Sequence, residues 1–153
     1  MAQQTDIKEM LLRSKAAAQK EMDLILAAEP LNWSFFHDRL YGFILEKYML
    51  RPEDDTVSSF HELTELSLSR SMKISRELVR DFDLAKGCHG ASSTAAKKVL
   101  LFMAMQKALG IEFDAKKTAE LVTIEQLIRL VWDTMSQTPE WNGRLCGVPD
   151  ACA

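Results

Sequence analysis

The residues best suited to chemistry lie in a short glycine-bracketed loop, GCHGASST, which runs from Gly87 to Thr94. The loop ends in the consecutive hydroxyl side chains of Ser92, Ser93 and Thr94, directly in front of an apolar segment. If that segment is a helix, its N-terminus places free backbone N–H groups and a positive dipole end beside these hydroxyls. Such a place favours an anion, or a serine esterified to a phosphate group.

A long buried helix is predicted immediately after this loop. The run from Thr94 to Leu109 contains no proline or glycine, and it is apolar at almost every position from Val99 to Met105. Its length corresponds to about four helical turns, which is longer than most strands. Gly110 suits the left-handed residue that commonly follows a helix end. We therefore predict a central helix with the hydroxyl loop at its start.

The clearest amphipathic pattern of the chain follows in TIEQLIRLVWDTM. Thr123 and Gln126 have the spacing of a capping box, so the last main helix is predicted to begin at Thr123. Its apolar residues recur at helical spacing. They are Ile124, Leu127, Ile128, Val131 and Met135.

These two stretches resemble the acyl carrier protein family. GASSTAAKKVLLFMAM is similar to the family's Gly-Ala-Asp-Ser-Leu loop and second helix, and GIEFDAKKTAELVTIEQLIRLV is similar to its short third helix and threonine-capped last helix. The resemblance implies an all-α fold, an acyl-carrier-protein-like helical bundle with its core over about residues 34–136. An added N-terminal helix and an inserted long helix complete the predicted architecture.

By position, the resemblance places Ser93 where the family's serine receives 4'-phosphopantetheine, with Gly90, Ser92 and Thr94 around it in the cofactor-binding loop. It implies a carrier-like protein that presents an acyl or aminoacyl thioester on the phosphopantetheine arm and is not itself an enzyme. The implied partners are a phosphopantetheinyl transferase and acyl-transfer or synthase enzymes.

The chain also departs from the family's pattern. Ser92 replaces the aspartate before the modified serine, and Thr94 replaces the leucine after it. The family's second helix is acidic, whereas this one carries Lys97, Lys98 and Lys107. These departures leave an alternative open, a degenerate and unmodified carrier-like module that serves protein interaction or regulation. In that case Ser92 or Ser93 only caps the helix.

A second serine competes for the modification. SSFHELTELSLSRSM also resembles a carrier protein's approach to its serine, with Ser67 and Leu68 at the Ser-Leu step. A long helix is predicted over residues 60–82, capped by Ser59 and Glu62, and it would hold Ser67 about two turns from its start. A transferase needs an extended loop, so we rank Ser93 first, Ser92 second and Ser67 third.

Cysteine and histidine patterns offer weaker chemistry. Cys88 and His89 would give a thiol with a neighbouring base, but adjacent side chains seldom face each other, and small residues in that loop also permit a tight turn. The cysteines show no metal-ligand spacing and are expected to be free thiols. His37 and His61 fall near predicted helix starts as ordinary surface residues, so no metal site is expected.

Two helices are predicted before residue 51. The first covers residues 6–28, is capped by Thr5 or Asp6, and ends before Pro30. Its broad apolar stripe could pack on the domain itself or serve a partner or a dimer. This stripe comprises Ile7, Met10, Leu11, Ser14, Ala18, Met22 and Ile25. The second covers residues 34–50, with Asn32 or Ser34 as its cap. Its inward residues are Phe36, Leu40, Phe43 and Ile44, with Met49 as a further candidate.

Bulk composition limits the functional classes. The net charge of −3 and the absence of a basic face argue against a nucleic-acid binder. No apolar run approaches the length of a membrane span, and the N-terminus lacks a signal-peptide core, so a cytoplasmic location is expected. We predict one helical domain over residues 1–138 and an irregular tail over residues 139–153. That tail would be either disordered or laid over the core through Trp141, Leu145 and Val148.

Overall fold

The computed structural model describes the backbone of residues 2–50, 57–72 and 93–147, and the side chains of residues 8–50, 57–70 and 94–147. Over these residues the protein is mostly helical, with a single two-stranded parallel sheet, in agreement with the predicted all-α class. The elements in chain order are α1 (Ala2–Ala27), β1 (Leu31–Asn32), α2 (Trp33–Lys47), α3 (Phe60–Met72), α4 (Ser93–Leu109), α5 (Ala115–Ala119), α6 (Ile124–Ser136), α7 (Pro139–Asn142) and β2 (Leu145–Cys146).

Helix α1 packs along α2 through only its C-terminal half. Ala18, Met22 and Ile25 are buried, whereas Met10 and Leu11, on the same predicted stripe, are 45% and 51% exposed. An ion pair of 3.1 Å between Glu21 and Arg39 joins the two helices. The stripe therefore packs on the domain around Ala18, Met22 and Ile25, while Met10 and Leu11 lie outside the described core.

Helix α2 begins as the sequence predicts. The Asn32 side chain accepts a hydrogen bond of 2.8 Å from the backbone N–H of Ser34, which identifies Asn32 as the cap. The helix ends at Lys47, earlier than predicted. Its predicted inward residues Phe36, Leu40, Phe43 and Ile44 are all buried.

The first turns of α3 and α6 are tied together by their backbones. An isolated antiparallel bridge links Ser59 to Thr123, with hydrogen bonds from Phe60 N to Val122 O (3.0 Å) and from Ile124 N to Ser58 O (2.8 Å). Each helix also begins at its predicted cap: Glu62 N donates to Ser59 Oγ at 3.1 Å, and Thr123 and Gln126 form a complete capping box. The predicted continuation of α3 to residue 82 lies outside the described residues.

Helix α4 confirms the predicted central helix, and Gly110 follows it with a φ of 66°. Burial, however, is confined to one face. Leu101, Met105 and Leu109 are buried, while their neighbours Leu100 and Met103 point to solvent. The run from Val99 to Met105 is almost continuously apolar because hydrophobic residues also occupy its exposed face. The sequence therefore predicted the helix but not its exposed side.

Residues 139–147 lie over the core, which is the second of the two predicted arrangements of the tail, but they contain regular elements where an irregular chain was predicted. Pro139 opens the short helix α7, and Leu145 belongs to strand β2, which pairs in parallel with β1. The Trp141 side chain is buried, and its indole N–H donates to Leu109 O at 2.8 Å. Burial of this ring packs the segment against the core. Val148 lies outside the described residues.

Candidate functional site

The N-terminus of α4 is where the structure describes part of the predicted site. Ser93 is the first residue of α4, although its side chain is not described, and Gly90 and Ser92 lie outside the described residues. Thr94, the second residue of the helix, has a described side chain. Its hydroxyl oxygen lies 3.5 Å from Nδ1 of His61, in the first turn of α3.

His61 is in turn held by an acidic residue of its own helix. Its Nε2 atom lies 3.5 Å from the carboxylate of Glu65, one helical turn further on. The Glu65 side chain is 5% exposed, whereas the His61 ring is 56% exposed. The fold thus places a buried carboxylate and a hydroxyl beside the two nitrogen atoms of one accessible imidazole. His61 was predicted to be an ordinary surface residue, and only the i, i+4 spacing of His61 and Glu65 in the sequence hints at the pair.

Ser67 does not share this setting. It lies inside α3 and is 2% exposed. A buried hydroxyl within a helix is not accessible to a modifying enzyme, which supports the low rank given to Ser67.

The helix that begins at Ser93 presents an apolar face to solvent. Val99, Leu100 and Met103 are 54%, 65% and 58% exposed. Positions seven residues apart lie on the same side of a helix. Ser93, Leu100 and the exposed Lys107 therefore share one stripe along α4.

The lysines of α4 lie against aromatic rings or in solvent. Lys97 Nζ lies 5.7 Å from the Tyr48 ring, and Lys98 Nζ lies 5.3 Å from the Phe60 ring and donates to Leu121 O. Partial burial lowers the pKa of both ammonium groups. Within residues 8–50, 57–70 and 94–147, neither of them nor Lys107 forms an ion pair with a carboxylate.

Two cavities open on the described surface. One cavity, of about 160 Å³, lies between the end of α2 and α4. It is lined by Lys47, Tyr48, Lys97, Leu100, Leu101 and Ala104. The other, of about 380 Å³, lies between α2 and α6 beside His37, whose Nε2 is 2.6 Å from the Glu125 carboxylate. Trp33 and Tyr41 hold the His37 ring from two sides, so this pair is a contact between α2 and α6.

A metal site and the cysteine thiols are the remaining candidates for chemistry. In the part of the chain that the structure describes, no three histidine, cysteine or acidic side chains are grouped to hold a metal ion. The predicted Cys88 and His89 pair lies outside the described residues, and Cys146 is an exposed free thiol. None of the described helices combines the length and apolarity needed to cross a membrane.

Comparisons with known protein families, with curated proteins and with solved structures give no match to this chain.

Proposed function

We propose that this protein is an acyl carrier-like protein in which Ser93 bears 4'-phosphopantetheine. The arm would hold an acyl or aminoacyl group as a thioester and present it to partner enzymes. The observation that carries this proposal is the placement of Ser93 at the first residue of a 17-residue helix with an exposed apolar face. A modifiable serine is thereby followed directly by a surface that partners can bind.

The arm is attached by transfer of 4'-phosphopantetheine from coenzyme A to the Ser93 hydroxyl. The Ser93 hydroxyl attacks the pantetheine-side phosphorus of coenzyme A, the phosphoanhydride bond breaks, and adenosine 3',5'-bisphosphate leaves. The serine proton passes to the transferase, which supplies this catalysis together with its metal ion. The positive dipole end at the start of α4 favours the phosphodiester that forms. Afterwards the reactive atom is the thiol of the arm, so the chemistry belongs to the arm and the partner enzymes.

The arrangement of elements supports a carrier-like fold. We assign α2, α4 and α6 to the three main helices of such a bundle and α5 to its short third helix, with α1 and α3 as additions. The short helix α5 is capped by Asp114, whose carboxylate accepts from Lys116 N at 2.8 Å. The capping box at Thr123 then begins the last main helix, as the resemblance to acyl carrier proteins implies.

A second candidate function rests on the same exposed face. Val99, Leu100 and Met103 could bind a protein partner without any arm, and Thr94 replaces the leucine that follows the modified serine in carrier proteins. The alternative is an unmodified carrier-like interaction or regulatory module. In it, Ser92 or Ser93 would act only as a helix cap.

The deciding experiment is intact-protein mass spectrometry after incubation with coenzyme A and a broad-specificity phosphopantetheinyl transferase. Peptide mapping across residues 86–98 then locates the arm. We expect one arm, lost in Ser93→Ala and retained in the matched variant Ser67→Ala, because Ser67 is buried. Ser92→Ala tests the neighbouring hydroxyl in the same way.

An arm on Ser92 would keep the carrier function and move its site by one residue. No arm on either serine, both with that transferase and in protein isolated from its native cell, would overturn the carrier proposal. The interaction module would then be tested by replacing Leu100 and Met103 with serine and measuring loss of a bound partner.

A further inference from the structure

We propose that Thr94 is an activated nucleophile that takes an acyl group from a thioester, with His61 as its general base and Glu65 as the residue that positions His61. This inference goes beyond the carrier function, and it does not depend on an arm at Ser93. It assigns to this chain an acyl-transfer step on its own hydroxyl.

The geometry defines the three roles. Glu65 Oε2 lies 3.5 Å from His61 Nε2, and His61 Nδ1 lies 3.5 Å from the Thr94 hydroxyl. A carboxylate can only accept, so it places the imidazole proton on Nε2. Nδ1 is then the acceptor that faces Thr94. Covalent catalysis commonly uses this pattern, in which a base activates the nucleophile and a third group orients the base.

Burial makes the carboxylate effective and leaves the base accessible. The Glu65 side chain is 5% exposed, which fixes its position and removes it from screening by water. The His61 ring is 56% exposed, so a substrate in solvent can reach it. The Thr94–His61 contact is at the outer limit of hydrogen bonding, and the His61–Glu65 contact has the length of an ion pair. Catalytic contacts are often this long before the substrate binds and draws the groups together.

The start of α4 supplies stabilisation for the oxyanion. Thr94 is the second residue of this helix and therefore lies near the positive end of its dipole. An acyl carbonyl attacked by Thr94 would develop its negative charge at the positive end of the α4 dipole.

A thioester is the acyl donor that this arrangement favours. The Thr94 oxygen attacks the carbonyl carbon while its proton passes to His61 Nδ1. The carbon–sulfur bond then breaks, and the leaving sulfur takes the proton from His61, which gives an O-acyl threonine and a free thiol. A thiol ionises near pH 8.5 and leaves far more readily than an alkoxide or an amine. A single accessible base is therefore sufficient for a thioester.

The test uses acetyl-coenzyme A and the full chain without an arm, as verified by intact mass. Free coenzyme A is measured by chromatography, and the acetylated residue is located by peptide mapping. Neutral hydroxylamine first removes acetyl groups from cysteines such as the exposed Cys146, because it cleaves thioesters and leaves oxygen esters intact. We expect an acetyl ester on Thr94 in the wild-type chain.

Variants separate the roles. Thr94→Val should abolish the ester, Thr94→Ser should retain it, and His61→Gly should slow its formation about 100-fold. Because the His61 ring is exposed, imidazole added to His61→Gly should restore the rate, with the His61→Gly and Thr94→Val double variant as the blank. Glu65→Gln should lower the maximal rate at saturating acetyl-coenzyme A. The acetyl-coenzyme A concentration that gives half of the maximal rate should not change. Thr118→Val, on the exposed helix α5, is the matched threonine control.

An acetyl ester formed equally by wild type and His61→Gly would overturn the relay, and so would the absence of any ester on Thr94 in the wild-type chain. If Thr94→Val does not fold, as judged by circular dichroism, the imidazole rescue of His61→Gly decides. Because the arm is absent from this experiment, its result is independent of whether Ser93 accepts phosphopantetheine.

Discussion

The Thr94 hydroxyl faces Nδ1 of His61 at 3.5 Å, a contact between the second residue of α3 and the second residue of α4. It brings the N-termini of two helices together, so two positive dipole ends converge on one hydroxyl. Negative charge that develops on the Thr94 oxygen, or on an acyl group bound to it, is favoured by both helices. This convergence is what the proposed acyl transfer uses.

The sequence alone did not connect these residues, because 33 positions separate them. Periodicity identifies which face of a helix is apolar, but it does not give the pairing of two helix ends. His61 was therefore interpreted from its local setting as a surface residue. The contact follows from the packing of α3 against α4, which depends on the whole core.

The capping box of α6 gives a first stability prediction. Thr123 Oγ1 accepts from Gln126 N at 3.2 Å, and the Gln126 side chain accepts in return from Thr123 N at 3.1 Å. Thr123→Ala should lower the free energy of unfolding by about 1 kcal/mol, measured by chemical denaturation. Thr118→Ala is the control, with a change within about 0.5 kcal/mol. Equal effects of the two variants would show that the cap does not stabilise α6.

Local signals account for most of what could be predicted. Gly110 after α4 and the Thr123–Gln126 pair depend on neighbouring residues only, and both were placed correctly. The pairing of β1 with β2 joins residues 114 positions apart, for which the sequence holds no local signal. The short elements of the C-terminal segment were missed for the same reason, although packing of the tail over the core through Trp141 was one of its two predicted arrangements.

The register of α4 is tested by two adjacent leucines. Leu101 is 2% exposed, and Leu100 is 65% exposed. Leu101→Ala should cost about 2–5 kcal/mol of unfolding free energy because it leaves a cavity in the core. Leu100→Ala should change it by no more than about 0.5 kcal/mol. Denaturation midpoints measure both, and a larger loss at Leu100 would contradict the described orientation of the helix.

The hydrogen bond from Trp141 to Leu109 is one of the contacts that anchor the C-terminal segment, and it can be tested alone. Trp141→Phe keeps an aromatic ring but removes the N–H that donates to Leu109 O, leaving that carbonyl without this partner. We expect a loss of about 1–3 kcal/mol by thermal or chemical unfolding. Trp33→Phe is the comparison: Trp33 makes its ring contacts at the surface of the core and should lose less. An unchanged stability of Trp141→Phe would show that residues 139–146 do not depend on this anchor.

Tyr48 should make the protein sensitive to alkaline pH. Burial raises the pKa of its phenol from 10.0 to about 12, and the nearby Thr64 hydroxyl offsets a smaller part of this shift. Thr64 donates its own proton to Phe60 O at 2.9 Å, and the Tyr48 hydroxyl forms no well-aligned hydrogen bond with the described residues. The folded state therefore resists losing the Tyr48 proton, which the unfolded state releases near pH 10.

Because the folded state holds this proton over a pH range in which the unfolded state has lost it, stability falls as pH rises from 10 to about 12. Two pKa units correspond to about 2–3 kcal/mol. Tyr48→Phe lacks the titrating group, so its stability relative to wild type should rise by about that amount between pH 9 and pH 12. Urea denaturation at each pH measures the difference, and a constant difference between wild type and Tyr48→Phe would show that the Tyr48 phenol titrates alike in both states.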